Sequence, residues 1–174
     1  VARGFTLVEL VTVVAIVGIL ATIAIILVQR YFRSSKSLEA ISIISAIRVA
    51  QESHRAETGS YLNVTLDEAW FPAKPDGLTK RSFVALPGHV DAERWKQLGV
   101  SRTDGTQFGF RTFAGGPGPI AVKLDTVDTM EFPDATDQWY VIEAAGELNP
   151  SSPALSLYVA SSLDSEIYTE NEGE

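Results

Sequence analysis

Gly4-Phe5-Thr6-Leu7-Val8-Glu9-Leu10 opens the chain, and an apolar run continues from it as far as Val28. No charged residue falls between Leu10 and Val28. At 1.5 Å rise per residue that run makes a helix about 28 Å long, against a bilayer hydrocarbon core about 30 Å thick. Length and composition therefore fit one membrane crossing. A cleaved secretory signal would have an apolar core of only about 7–15 residues and a small-x-small site after it. Neither applies, so the run reads as a retained anchor. No proline occurs before Pro72, and the first clear helix stop is Thr58-Gly59, with glycine just past the end. One helix is expected from about Phe5 to about Glu57.

Glu9 is the awkward residue in this reading. A carboxylate at the centre of a membrane helix costs about 2.5–3.5 kcal/mol on insertion scales. One explanation places Glu9 at the interface, near its helix N-terminus, where the dipole favours negative charge. The other keeps it for a cationic partner in an assembled state. A free α-amino group would serve, because it is mostly charged near neutral pH and pairing relieves two buried charges together.

Beyond the run the helix changes character. On a 100° wheel Ala40, Ile43, Ile44, Ile47, Ala50 and His54 share one face. Ser45, Arg48, Glu52 and Arg55 form a polar strip, with Arg48 and Glu52 at i,i+4 spacing. Leu38 and Val49 lie beyond it and are apolar again, which points to a second contact surface for other helices. Residues 60–105 read as a connecting region. Thr65-x-x-Glu68 has capping-box spacing for a short helical turn, and Asp91–Leu98, closed by Gly99, predicts a short helix capped by Asp91. Trp70, Phe71, Trp95 and Leu98 are expected as satellite core. From Thr106 the period falls to two. Strands are expected over Thr106–Phe113 and Ile120–Val127, joined as a hairpin through Gly115–Pro119, then over Gln138–Ala145 and Leu155–Leu163, with an edge at Ile167-Tyr168 and a loose tail from Glu170. The fold class is α+β: a long N-terminal helix packed on an antiparallel sheet of about four strands.

The chain has 174 residues, no cysteine and a net charge of −8. Disulfides and thiolate metal sites are thereby excluded. The last basic residue is Lys123, and residues 124–174 hold twelve acids. That half repels nucleic acid, so no nucleic-acid partner is expected. Arg30, Arg33 and Lys36 suit lipid headgroups, although with only Arg3 ahead of the run the positive-inside count alone favours the opposite orientation. Neither His54 nor His89 belongs to a catalytic or paired-metal constellation. Asp125, Asp128, Glu131, Asp134 and Asp137 recur every third residue. Asp125, Asp128, Asp134 and Asp137 are the calcium candidates, offering the hard oxygens that Ca²⁺ takes but no EF-hand pattern.

Residues 3–60 resemble the prepilin motif of type IV pilins and type II secretion pseudopilins: glycine, phenylalanine and the fifth-residue glutamate stand in register at Gly4, Phe5 and Glu9. Glu57-Thr58-Gly59-Ser60-Tyr61 resembles the usual exit from the pilin helix. The resemblance implies that a prepilin peptidase cuts between Gly4 and Phe5, that Phe5 is N-methylated, and that Glu9 neutralises the Phe5 amine of a neighbouring subunit as helices stack. It divides the chain into a leader remnant (1–4), a membrane and assembly segment (5–28), an outer helix half (29–58) and a head (59–174). The implied partners are other pilin subunits, the peptidase, a pilus or secretion assembly platform and the bacterial inner membrane, before export into a periplasmic or cell-surface filament. Two departures bear on the kind of pilin. Ile26 stands where many pilins have proline, and the common C-terminal disulfide loop is impossible. Both fit a minor pilin or pseudopilin better than a major pilin. A solitary membrane-anchored periplasmic binding domain is the rival from another class; it would have no use for Gly4 or Glu9.

Overall fold

The computed structural model describes residues 6–76, 79–83, 88–100, 105–125, 130–148 and 154–171. One helix, α1 (Leu7–Thr58), runs unbroken for 52 residues, about 78 Å at 1.5 Å per residue. Gly59, at φ 84°, ends it in the left-handed conformation, and its N–H donates to the Arg55 carbonyl. A short helix, α2 (Ala92–Leu98), follows, and then four strands: β1 (Gly109–Gly115), β2 (Trp139–Gly146), β3 (Ser156–Ser161) and β4 (Ile167–Glu170). They form one antiparallel sheet in the order β1-β2-β3-β4. The expected α+β architecture is the observed one.

The sheet divides the head into two layers. Ala40, Ile43, Ile44 and Ile47 of α1 are at most 1% exposed. They meet Phe110 of β1, Tyr140, Ile142 and Ala144 of β2 and Tyr158 and Ala160 of β3. At about 1.5–3 kcal/mol per buried large side chain, this seam holds the outer half of α1 on the sheet. Phe71, Trp95 and Leu98 belong to this main core rather than to a satellite, and the Phe71 and Trp95 rings stack 4.9 Å apart. Trp70 points to the other side, with Ala145 and Leu157. That outer face is covered by residues 120–124 and 130–135, where Ile120, Val122, Leu124, Met130 and Phe132 pack on Trp139, Val141 and Val159. A Cβ on Gly146 would overlap the Phe108 ring, which explains a glycine at the end of β2.

Two expectations are corrected by bonding competition. Ile120–Val127 is no hairpin strand: among its described residues, 120–125, no ladder forms. The alternation was real, but both edges of β1 are taken. One pairs with β2, and the other bonds Phe71, Thr65 and the Asn63 side chain. The 120–124 segment therefore buries its alternate residues by packing alone. Thr65-x-x-Glu68 starts no helix, because the Thr65 hydroxyl accepts from the Thr112 N–H (3.0 Å) and Glu68 sits at φ 54°. Asp91 does stand at the start of α2, yet its side chain makes no capping bond. It is fully buried, and burial pushes its carboxyl above the ordinary range. Smaller differences concern strand ends: β1 starts three residues late, and β4 extends through Glu170 into the expected tail. Residues 172–174 and the 126–127 end of the expected hairpin strand lie outside the described residues.

The polar strip of α1 is also wired differently from its spacing. Arg48 donates to the carbonyls of Ser165 and Glu166 (2.9 Å each), while Glu52 accepts from the Tyr61 hydroxyl (2.9 Å). No Arg48–Glu52 bond forms among the described residues. Gln51, one turn past Ile47, is 0% exposed. Its amide donates to the Leu62 carbonyl (2.9 Å) and to the Thr112 hydroxyl (3.2 Å), and accepts from the Leu62 N–H (2.9 Å). It ties the helix to the chain leaving it and to β1. Replacing Gln51 by leucine is expected to destabilise the head by about 2–4 kcal/mol, since two buried backbone groups lose their partner. The denaturant midpoint of the detergent-solubilised full chain measures this, and an unchanged midpoint would refute it.

Candidate functional site: the N-terminal helix

Over about its first six turns, Leu7 to Val28, α1 is exposed at every residue. The fifteen large apolar side chains from Leu7 to Val28 are each 51–79% exposed. The most apolar 18-residue window of α1 has a mean hydropathy of 3.0, and none of it is buried. Soluble proteins do not leave a patch of this size open, so lipid or other helices must cover it. β-Branched Val and Ile dominate the run. Their χ1 rotamers are nearly fixed in a helix, which makes this surface stiff and cheap to order on packing. Thr12 and Thr22 return their hydroxyls to the carbonyls of Val8 (2.8 Å) and Gly18 (2.9 Å), so neither leaves an unsatisfied donor facing an apolar medium.

Glu9 lies at the head of this segment and is part of a complete capping box. Thr6 is the N-cap. Its hydroxyl accepts from the Glu9 N–H (3.2 Å), and the Glu9 Oε2 accepts from the Thr6 N–H (2.8 Å) and hydroxyl (2.8 Å). The T-x-x-E spacing of Thr6 and Glu9 is visible in the sequence, although the reading of Glu9 went through its charge alone. The carboxylate thus has a local reason for its place: it satisfies helix donors that lipid would leave bare. Both local bonds fall on Oε2. Gly4 and Phe5 themselves lie outside the described residues.

A family model described as the prokaryotic N-terminal methylation motif matches residues 1–25. The match covers the head of α1 and leaves the rest of the chain unmatched. No curated protein and no solved structure matches it. The matched motif and the bare apolar segment of α1 coincide, an arrangement consistent with membrane anchoring.

The three described calcium candidates, Asp125, Asp134 and Asp137, are not gathered into one site. Asp137 pairs with Arg55 at 2.7 Å, and Asp125 lies 3.3 Å from Arg111. The backbone N–H of Gln138 together with Arg55 holds the Asp137 carboxyl below the ordinary range. Asp134 and Glu131 are exposed, and Asp128 lies outside the described residues. Among the described residues no cluster of three ligating side chains forms. His54 Nδ1 sits 2.8 Å from the Ser60 carbonyl, and His89 Nε2 3.0 Å from that of Trp70, both in the head's own bonding.

The head contains one strong electrostatic feature the sequence reading passed over. Arg111 (2% exposed) and Glu143 (0%) are cross-strand partners on β1 and β2, bonded at 3.0 Å through Nε and 2.5 Å through Nη2. Arg111 also donates to the Glu68 carbonyl (3.2 Å) and lies 4.0 Å over the Trp70 ring. The other Glu143 oxygen accepts from the Asp125 N–H (2.8 Å). Burial pushes the Glu143 carboxyl up, and Arg111 pulls it back. The pair fastens both segments that cover the outer face, 66–70 and 119–125, to the sheet.

Proposed function

We propose that the chain is a structural subunit of a type IV pilus-like filament, of the minor-pilin or pseudopilin kind. A bilayer holds Phe5–Val28 until assembly, and neighbouring helices then replace the lipid. The bare apolar helix, carrying a single acid in the register of the methylation motif, is the observation that supports this most directly. Processing between Gly4 and Phe5 by a prepilin peptidase frees the Phe5 amine, and N-methylation leaves it charged. Glu9 then neutralises the amine of an adjacent subunit and fixes axial register, using the oxygen its own cap does not occupy. The inner membrane, the assembly platform and other pilins are the partners, and the destination is a periplasmic or cell-surface filament. Mass spectrometry of the mature chain is expected to show methylated Phe5 at the N-terminus. Functional protein that retains Gly4 would sink the processing step. The absence of a proline at Ile26, with α1 continuous through it, supports the minor or pseudopilin assignment over a major pilin; the share of this chain among the subunits of purified filaments tests it.

A further inference from the structure

Between the bare run and the head, α1 passes through residues 29–36, which belong to neither. Ser37 (3% exposed) is the first described residue of the helix that the head buries, about 13 Å past Val28 at 1.5 Å per residue. A bilayer is about 40–45 Å thick with its headgroups and about 30 Å without them, so each headgroup layer takes about 5–8 Å. With Leu7–Val28 in the hydrocarbon, residues 29–33 lie in that layer. The underside of the head then stands within one Debye length of it, about 8 Å.

The two sides of this neck differ. Tyr31 (73% exposed) and Phe32 (62%) follow the run directly, their rings 6.4 Å apart and edge to face. Aromatic rings are favoured where acyl chains meet headgroups. Tyr31 stands nine residues before Ala40, two and a half turns, so it points away from the side on which α1 carries the head. Arg33 and Lys36 stand eleven residues before Ile44 and Ile47, three whole turns, and so point to the head's own side, where both are half-buried. Side chains on a helix tilt towards its N-terminus, which turns both cations back towards the bilayer.

The charge balance decides the ligand. Of the chain's 22 acids only Glu9 precedes Glu39, so Arg30, Arg33 and Lys36 form a stretch with three bases and no acid. Residues 39–174 hold 21 acids against ten bases. An anionic surface thus attracts the neck and repels the head above it. A single crossing puts these bases on the head's side of the bilayer whichever way the helix is inserted. Bases and aromatics together ring the helix, as lipid surrounding the crossing would meet them; a protein partner would cover one arc.

We propose that residues 30–36 bind anionic phospholipid, Arg33 and Lys36 holding headgroups beneath the head while Tyr31 and Phe32 lodge at the acyl boundary on the other side. Arg30 adds its charge to the same layer. The contact sets the depth of the subunit and keeps its acidic head clear of the leaflet. It rests on the membrane-held stage of the reading above, not on the filament.

Co-flotation of the full chain with phosphatidylcholine vesicles establishes insertion. Native mass spectrometry of the detergent-solubilised chain, titrated with phosphatidylglycerol or phosphatidylcholine, then tests the site. At about fivefold per base, the unsubstituted chain is expected to prefer phosphatidylglycerol about a hundredfold. Arg33→Gln with Lys36→Gln is expected to cut that preference to about fivefold, and Arg33→Lys with Lys36→Arg to keep it. Tyr31→Ala with Phe32→Ala should weaken both lipids alike and leave the preference unchanged. Flotation without any preference for phosphatidylglycerol would overturn the site and leave the anchor standing. So would a preference that the glutamine pair does not reduce, or one abolished by equimolar inorganic phosphate, which would assign the bases to a free anion. A chain that does not float with vesicles would overturn the anchored reading, and this site with it.

Discussion

Glu9→Gln is expected to insert into the membrane normally, keep a fully helical N-terminus and yet lose incorporation into filaments by about a hundredfold or more. The reasoning separates two jobs that alanine would confuse. Glutamine accepts the Thr6 N–H as glutamate does, so the capping box survives. What disappears is the charge, and an amine buried among apolar helices without its counter-charge costs about 3–5 kcal/mol. Thr6→Ala does the opposite: it removes the N-cap, at about 1 kcal/mol, and keeps the charge. Incorporation of the Thr6 variant should fall far less than that of the glutamine variant. Quantifying the chain in sheared filaments against membranes tests both. Equal incorporation of Glu9→Gln and the unsubstituted chain would mean that Glu9 serves only its own helix end.

Arg111→Met and Glu143→Leu are each expected to destabilise the head by about 3–5 kcal/mol, a large share of a typical domain's stability. Losing Arg111 leaves the buried Glu143 with no counter-charge, losing Glu143 leaves the buried Arg111 only the half-exposed Asp125, and both also release the 66–70 and 119–125 segments. Replacing both residues together, Arg111→Met with Glu143→Leu, removes the stranded charge and is expected to recover most of that loss. Urea denaturation of the four detergent-solubilised proteins gives the coupling directly. Additive single-variant effects, with no recovery in the double variant, would show that the pair does not act as a unit.

The parts of this molecule legible in its sequence are those set by local rules. The uninterrupted run from Leu7, the Gly59 stop, the stripe of Ala40, Ile43, Ile44 and Ile47, and the short helix before Gly99 all follow from spacing within a few residues. Gln51 was within reach as well, since it falls on the same stripe one turn past Ile47, but its polarity hid that it faces inward. The errors have a common cause. Ile120, Val122 and Leu124 alternate as a strand would, and only the occupation of both β1 edges, by β2 and by residues 63–71, denies them a ladder. Thr65 has the chemistry of a cap, and Thr112 claims it first. Arg111 and Glu143 are 32 residues apart, and nothing in either neighbourhood announces the other. At the helix N-terminus the family register of Glu9 was readable, whereas its engagement by Thr6 required the geometry.

The sheet works as a partition. Its helix side is apolar and committed to α1, while its outer side is dressed by two segments held by side-chain packing and by the Arg111–Glu143 pair with its bonds to the Glu68 carbonyl and the Asp125 N–H. Alternate strand residues face opposite ways, so a change at Arg111 or Val141 reaches the outer cover, and one at Phe110 or Ile142 reaches α1. Changes at the exposed positions of the outer cover thus leave the α1 seam untouched. In the filament proposed above, such subunits could renew their outer cover while the helix seam stays the same.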